Sequence, residues 1–211
     1  MLVGAHVRAG PQLTAALGIG AELSADVVQI FTQSPRAWKP NQYAPEALDR
    51  YRSAQSEAAA EGGVQATFCH ATYLINLAGP DPELHAKSLS CLAANLAVAE
   101  AIGSLGLVLH LGSHLGAGME ACLPQVADAL VEVLDRYPAA EELVWLQDEP
   151  WNMGAWRFAG EQLRRLLGDR YRIRAVTRGE SGSPATGSHA IHELELEQLL
   201  DDSVGGAPER A

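Results

Sequence analysis

Two histidines lie near the ends of apolar segments, where a buried strand would end in a loop. His70 directly follows the apolar run Val64–Cys69, and His110 lies near the end of a later apolar run. His6 and His114 take similar places, one after the first apolar run and one just beyond His110. Neutral imidazole is a common protein ligand for zinc and can exchange a proton near neutral pH. The spacing leaves two interpretations open: a metal-binding cluster, or separate buried histidines that hydrogen-bond to the backbone.

The segment Thr32–Lys39 combines positive charge with an amide and an indole. Arg36 and Lys39 can bind phosphate groups. Gln33 can hydrogen-bond to bases or sugars, and an exposed Trp38 could stack on a base or insert beside it. This composition indicates a nucleic-acid-binding loop. The alternative is an ordinary loop whose tryptophan packs on a neighbouring element.

Two further segments follow strand-like runs and have unusual compositions. His70–Ala78, which contains Tyr73, is apolar for a loop, so we expect it to fold back on the protein or insert into a partner. Gly112–Gly118 contains three glycines and His114. Glycine lets a backbone approach a phosphate closely, although a flexible turn is the alternative interpretation.

Short apolar runs alternate along the chain with longer segments of helical periodicity. The apolar runs lack regular polar alternation, which is typical of parallel strands that are buried on both faces. Strands are predicted at Leu2–Val7, Asp26–Phe31, Val64–Cys69, Gly106–Leu111, Glu142–Gln147 and Tyr171–Val176. Helices are predicted at Pro45–Glu61, Asp81–Ile102, Met119–Leu134 and Ala155–Leu167.

This order of elements predicts an α/β protein with a mainly parallel sheet. The polar and unusual segments all follow the carboxyl ends of predicted strands, which is typical of a TIM (β/α) barrel. A complete barrel usually needs about 250 residues and eight strands. The chain has 211 residues, so we expect an incomplete barrel of about six βα units. We predict one domain over residues 1–202 and a disordered tail over 203–211.

The composition excludes several classes of protein. The 211 residues are 47% hydrophobic, yet they contain no apolar run long enough for a membrane span and no basic leader before an apolar segment. The three widely spaced cysteines indicate buried thiols in a reducing cytoplasm. The net charge of −11 opposes nucleic-acid binding at first sight. Loop cations and bound metal can still make one face positive while acidic helices set the total.

Taken together, these segments resemble endonuclease IV, the zinc-dependent apurinic/apyrimidinic endonuclease family 2. The matching segments are Gly4–Val7, Gln29–Trp38, His70–Leu77, Lys87–Ser88 and His110–Gly116. Their order and separations also fit the family, and they cover about residues 2–120.

The resemblance implies a TIM barrel that holds three zinc ions at its C-terminal face and cleaves the DNA backbone 5′ to abasic sites. In that reaction zinc activates a water molecule and stabilises charge on the phosphate. His70 and His110 match catalytic zinc ligands of the family. The residues that we assign to DNA binding are Arg36, Trp38, Tyr73 and His114. The expected partner is double-stranded DNA with abasic sites, which are easily extruded because their base pairing is already lost.

Beyond residue 140 the chain departs from the family. Gln147 aligns with a ligand glutamate and takes the third catalytic position, although an amide is a much poorer zinc ligand than a carboxylate. No segment matches the family's strand that ends in Asp-Thr-Cys-His. A later ligand histidine aligns with Ile173, and the family's Asp-Arg-His appears as Thr186–Ser188, with His189 one position away. The C-terminal third is thus diverged or truncated, and we expect fewer than three zinc ions.

Three functions follow from this sequence. The first is a base-excision-repair phosphodiesterase, a hydrolase of the deoxyribonuclease IV type. The second is a catalytically impaired paralogue that binds abasic DNA. The third is a sugar isomerase or epimerase on the same barrel, because those enzymes also use metal sites at strand ends. No membrane partner is expected, and the oligomeric state is left open.

Overall fold

The computed structural model describes residues 3–9, 12–136 and 142–204, in which parallel strands alternate with helices. The strands are β1 (Gly4–His6), β2 (Val27–Phe31), β3 (Ala66–His70), β4 (Gly106–Val108), β5 (Glu142–Pro150) and β6 (Arg172–Arg178). The helices are α1 (Ala15–Glu22), α2 (Pro45–Ala60), α3 (Pro82–Ala101), α4 (Met119–Leu134), α5 (Trp156–Leu167) and α6 (His189–Val204), with a 3-10 turn at Gly168–Arg170.

The described residues divide into two compact units, one that ends at residue 129 and one that begins at residue 130. The first unit contains a parallel sheet in the order β1-β2-β3-β4. In its register Phe31 pairs with His70, and His70 pairs with Val108. Parallel pairing therefore brings the carboxyl ends of four strands, and the loops that follow them, to one edge of the sheet.

The core of the first unit forms where the sheet meets its helices. Val28 and Ile30 of β2 and Tyr51 of α2 are fully buried. The Tyr51 hydroxyl shares a 2.8 Å hydrogen bond with the Thr67 hydroxyl of β3. Gly20 of α1 lies so close to the sheet that a Cβ there would meet Val28 at 2.6 Å. This glycine therefore serves close helix–sheet packing.

Helix α3 begins and ends as the sequence predicts. The side chain of Asp81 accepts hydrogen bonds from the backbone N–H groups of Glu83 at 2.9 Å and Leu84 at 3.2 Å. This arrangement is an N-cap, and Pro82 fits the first helical position because its missing N–H needs no partner there. Gly103, with φ +71°, follows the last turn of the helix.

The second unit contains a parallel pair of strands covered on both faces. Trp145 of β5 packs against Trp156 of α5, with ring centroids 6.1 Å apart. Arg174 and Arg178, which point to the opposite face of β6, hydrogen-bond to helix α6. Helices α5 and α6 therefore lie on opposite faces of the β5–β6 pair.

Several predicted bounds differ from the structure. Strand β4 ends at Val108, so His110 lies two residues beyond it, whereas β5 continues past Gln147 to Pro150. Helices α1 and α6 were not predicted. Helix α6 includes residues 203 and 204 of the predicted tail, and residues 205–211 lie outside the described part of the chain. The single-domain assignment stays a prediction.

Two other expectations can be compared with the structure. Cys69, Cys91 and Cys122 are buried and free, as predicted. No helix within the described ranges is long and apolar enough to span a membrane.

Candidate functional site

Three histidines converge at the carboxyl edge of the four-stranded sheet. His6 ends β1, His70 ends β3, and His110 follows β4. The His70 ring centroid lies 5.1 Å from that of His110 and 5.8 Å from that of His6. Phe31, which ends β2, lies between His6 and His70 at 4.7 and 4.9 Å. The structure thus brings together the two histidines that resemble zinc ligands and adds His6 beside them.

His70 is the buried member of this cluster, with 6% of its surface exposed. Its Nδ1 lies 2.7 Å from the carbonyl oxygen of Ala71. Burial lowers the pKa of His70, with a smaller contribution in the same direction from neighbouring His110. A neutral ring whose Nδ1–H donates to a carbonyl keeps Nε2 available as an acceptor or metal ligand.

The family's three-zinc cluster does not fit the residues that the structure describes. Within those residues, no group of three or more His, Cys, Asp or Glu side chains is arranged to hold a metal ion. The predicted pair His70 and His110 lies together, whereas residue 147, which the resemblance aligns with a ligand glutamate, is a glutamine. Carboxylates that bridge several zinc ions are therefore missing where the resemblance requires them.

Gln147 is a buried structural residue of the second unit. Its Oε1 accepts hydrogen bonds from Trp145 Nε1 and from the Trp156 backbone N–H, each at 3.0 Å. Its Nε2 donates to the carbonyl oxygens of Met153 at 2.9 Å and Pro150 at 3.2 Å. A catalytic role for Gln147 stays a prediction, and its polar atoms are engaged in shaping the loop after β5.

Tyr73 is the exposed aromatic residue beside the histidines, with 57% of its surface accessible. Its ring meets those of Phe31 and His70 edge-on, each at 5.2 Å between centroids. Its backbone N–H donates to the Pro35 carbonyl at 3.2 Å, which ties its loop to the segment that carries Arg36. Tyr73 therefore presents an aromatic edge to solvent next to His70.

The two DNA-binding candidates of the 32–39 segment differ in exposure. Arg36 is exposed, whereas Trp38 is half-buried. The Lys87 ammonium group of α3 lies 4.8 Å from the Trp38 ring centroid, which is a cation–π contact. Trp38 thus anchors its loop to α3, in line with the interpretation that this tryptophan packs on a neighbouring element, and Arg36 remains free to meet a phosphate.

His114 organises its own loop. Its Nδ1 accepts hydrogen bonds from the backbone N–H groups of Gly116 at 3.1 Å and Gly118 at 3.2 Å. Leu115, which directly follows His114, has φ +50° and is 65% exposed. Direct DNA binding by His114 stays a prediction. Its Nδ1 is already engaged by hydrogen bonds within the loop.

Sequence reasoning missed the residue that joins two of these loops. Asn76 Oδ1 accepts hydrogen bonds from the backbone N–H groups of Ala78 at 3.2 Å and Ser113 at 3.0 Å. Gly112, with φ +96°, packs so closely on Asn76 that no side chain could be accommodated. The signal in the sequence was an asparagine in an apolar loop and a glycine just after His110.

Sequence reasoning also missed Arg178 in the second unit. Its guanidinium is buried and binds Asp148 Oδ1 at 2.7 Å and Glu195 Oε2 at 3.0 Å. It lines a polar cavity of about 200 Å³ together with the 179–187 segment. Because both carboxylates already neutralise it, the arginine holds strand and helix together and leaves no free positive charge in the cavity.

Comparison with solved structures defines the fold class. The structure matches endonuclease IV from Thermus thermophilus with a TM-score of 0.65 and 25% identity, covering 97% of this chain and 72% of that one. It also matches a xylose isomerase domain protein from Planctomyces limnophilus with a TM-score of 0.51, at 14% identity, covering 93% and 70%. The chain therefore has a TIM-barrel-type α/β fold, as predicted.

Curated relatives specify the resemblance further. A probable endonuclease 4 from Halorhodospira halophila is 42% identical over 138 residues, which are 64% of this chain and 44% of the relative. One from Symbiobacterium thermophilum is 33% identical over 173 residues, 82% of this chain and 59% of the relative. The chain is thus similar to endonuclease IV, and it spans about half the length of these relatives.

One family model also matches part of the chain. The model described as 2-oxoglutarate dehydrogenase C-terminal matches residues 117–204. This match covers α4, α5, α6 and the β5–β6 pair.

Proposed function

We propose that this protein recognises abasic sites in double-stranded DNA and hydrolyses the phosphodiester bond 5′ to them. The observation that supports this most is the convergence of His6, His70, His110 and exposed Tyr73 at one sheet edge of an endonuclease IV-like chain. Imidazoles can bind metal or exchange protons, and an aromatic residue beside them can occupy the space that a missing base leaves.

The loops supply the proposed DNA contacts. Exposed Arg36 would bind a backbone phosphate, and Tyr73 would enter the groove at the abasic position, where extrusion costs little. Trp38 would support Arg36 by fixing the loop on α3. The net charge of −11 does not oppose this arrangement, because charges separated by more than about 8 Å are largely screened at physiological salt.

We also propose zinc binding by His70 and His110, with fewer ions than the family's three. Zinc at these side chains would supply a Lewis acid for a phosphate oxygen. The described residues do not provide the bridging carboxylates of the family's cluster, so the protein's own contribution is limited to positioning DNA and offering imidazole nitrogens.

A second candidate is binding of abasic DNA without cleavage. The observation that favours it is Gln147, whose amide replaces the family's glutamate and is fully engaged inside the second unit. The sugar isomerase or epimerase alternative has only the fold in its favour, since the xylose isomerase domain protein is only 14% identical to this chain.

The deciding experiment measures nicking, binding and zinc content of the chain together. We expect selective binding of abasic over intact duplex, and zinc-dependent nicking that His110→Ala abolishes. Zinc content by mass spectrometry should fall in His70→Ala and His110→Ala. Chelator-insensitive binding without nicking would support the second candidate. Equal affinity for abasic and intact duplex would refute both.

A further inference from the structure

A buried polar network lies beneath the loop that carries Arg36. Thr32, Gln33 and Asn95 are 2%, 5% and 1% exposed. We propose that Asn95 of α3 is a positioning residue that holds this loop in the conformation that binds abasic DNA. The inference rests on the proposed function, because it gives a role in DNA recognition to a residue that touches no DNA-binding side chain itself.

The network connects helix to loop through a continuous chain of hydrogen bonds. The Thr32 hydroxyl donates to Asn95 Oδ1 at 2.9 Å, and Asn95 Nδ2 donates to Gln33 Oε1 at 3.1 Å. Gln33 Nε2 then donates to the Ala37 carbonyl oxygen at 2.7 Å, directly after Arg36. One amide in the helix therefore reaches both ends of the turn that presents Arg36.

Asn95 is part of a helix face directed at this loop. Lys87, Cys91 and Asn95 are spaced four residues apart, so they lie along one face of α3. Lys87 contacts the Trp38 ring, and the Cys91 carbonyl accepts from Asn95 Nδ2 at 2.7 Å. The Cys91 bond orients the amide so that its other atoms meet Thr32 and Gln33.

A second set of bonds holds the loop from the other side. The Pro35 carbonyl accepts from the Thr72 hydroxyl at 2.7 Å and from the Tyr73 backbone N–H at 3.2 Å. The Thr32 carbonyl accepts from the Tyr43 hydroxyl at 2.8 Å. The loop is thus attached to α3 and to the Tyr73 loop at once, which sets Arg36 and Tyr73 relative to each other.

The chemistry of the position supports a positioning role. A helix residue that only packed against the sheet would be apolar, because burying an amide is unfavourable unless its hydrogen bonds are made. Here the Asn95 Oδ1 accepts from the Thr32 hydroxyl, and its Nδ2 donates to Gln33 Oε1 and to the Cys91 carbonyl oxygen. Removal of the amide leaves the Thr32 hydroxyl without its Asn95 acceptor and Gln33 Oε1 without its Asn95 donor, which weakens the attachment of the turn to α3.

The experiment compares Asn95→Leu with a matched control. Leucine keeps the number and branching of the side-chain heavy atoms, at a somewhat larger volume, and removes the hydrogen bonds. Tyr51→Phe is the control, because it removes a buried hydrogen bond in the same unit that does not touch the loop. Thr32→Val removes one bond of the network and serves as a milder variant. Two readouts are used: affinity for an abasic duplex, and trypsin cleavage after Arg36, which reports on the loop without DNA.

We expect Asn95→Leu to weaken abasic-duplex binding about tenfold, since two lost buried bonds are worth about one decade in an equilibrium constant. Cleavage after Arg36 should accelerate by a similar factor, and Thr32→Val should give part of both effects. Tyr51→Phe should change neither readout by more than about twofold. In an Arg36→Ala background, Asn95→Leu should have little further effect on affinity, because both changes act through the same loop.

Three results would overturn the inference. These are equal effects of Asn95→Leu and Tyr51→Phe, full additivity of Asn95→Leu with Arg36→Ala, or unchanged trypsin cleavage in Asn95→Leu. A wild-type chain that does not bind abasic duplex would instead refute the proposed function. The trypsin pattern would then still decide whether Asn95 holds the loop.

Discussion

Replacing Gln147 with glutamate, the residue that the resemblance to endonuclease IV implies at this position, should destabilise the protein. The two acceptor bonds, from Trp145 and Trp156, would survive because a carboxylate accepts hydrogen bonds. The donor bonds to the carbonyl oxygens of Met153 and Pro150 would be lost. A negative oxygen would then face carbonyl oxygens in a side chain that is only 8% exposed.

The loss in free energy of unfolding can be estimated from these contacts. Two lost amide hydrogen bonds cost about 1 kcal/mol each, and a buried carboxylate beside carbonyl oxygens raises the total to about 2–4 kcal/mol. A protonated glutamate could donate to one carbonyl, so the folded state raises its pKa above the unfolded value. The stability deficit should therefore be small near pH 5 and grow as the pH rises to 8.

The assay is urea unfolding followed by tryptophan fluorescence at pH 5 and pH 8. Gln162→Glu is the matched control, because Gln162 in α5 accepts from Arg165 at 2.7 Å and loses nothing on becoming a carboxylate. It should be as stable as the wild type. If Gln147→Glu is also as stable as the wild type at pH 8, or if it gains zinc without loss of stability, the structural role of Gln147 is refuted.

Two further predictions concern the glycines of the 112–118 loop and Glu195 of α6. Gly112→Ala should lower the free energy of unfolding by more than about 2 kcal/mol, because the backbone has φ +96° and a Cβ would also clash with Asn76. Gly116→Ala should lower it by about 1 kcal/mol, because the backbone has φ +90° but the space around it is open. Equal thermal shifts for the two variants would contradict this. A hydrogen bond from Thr186 lowers the pKa of Glu195, so the stability it contributes is present above its unfolded pKa and is lost as pH falls. Glu195→Gln should flatten the acid limb of a pH–stability curve, and an unchanged limb would count against this.

The parts of the site that the sequence could predict are those set by chain position alone. His70 and His110 stand near strand ends, and parallel pairing brings strand ends together whatever the details of packing. The exposed loop residues Arg36 and Tyr73 follow the same rule. Their types and order were sufficient to indicate the resemblance to endonuclease IV.

Hydrogen-bond partners from distant parts of the chain could not be predicted. Asn95 looks like any polar residue of a long helix until the fold places it under a loop that lies 62 residues earlier in the chain. The same holds for Asn76 and Gln147. An amide side chain can lie in solvent or in the interior, and only the surrounding residues of the folded chain determine which. The sequence therefore suggested a catalytic role for Gln147, whereas the structure shows that its amide holds the loop after β5 together by hydrogen bonds.

The same distinction applies to the elements of the fold, some of which the sequence predicts and some of which it does not. Alternating apolar runs determine the parallel strands, since burial on both faces requires such runs. Helix α1 is short and contains two glycines, which lower its helix propensity, so the sequence pattern did not predict it. Helix α6 contacts β6 through Arg174 and Arg178, so its packing face is partly polar and leaves no clear apolar period.

By itself the sequence determined the α/β class, the edge at which polar loops gather and the histidines that meet there. These follow from local periodicity and from the direction of the strands. Tertiary structure decided which of the candidate residues stay free to act and which are already engaged. The physical reason is that a buried amide or imidazole must satisfy its hydrogen bonds, and its partners are chosen by packing between segments far apart in the chain.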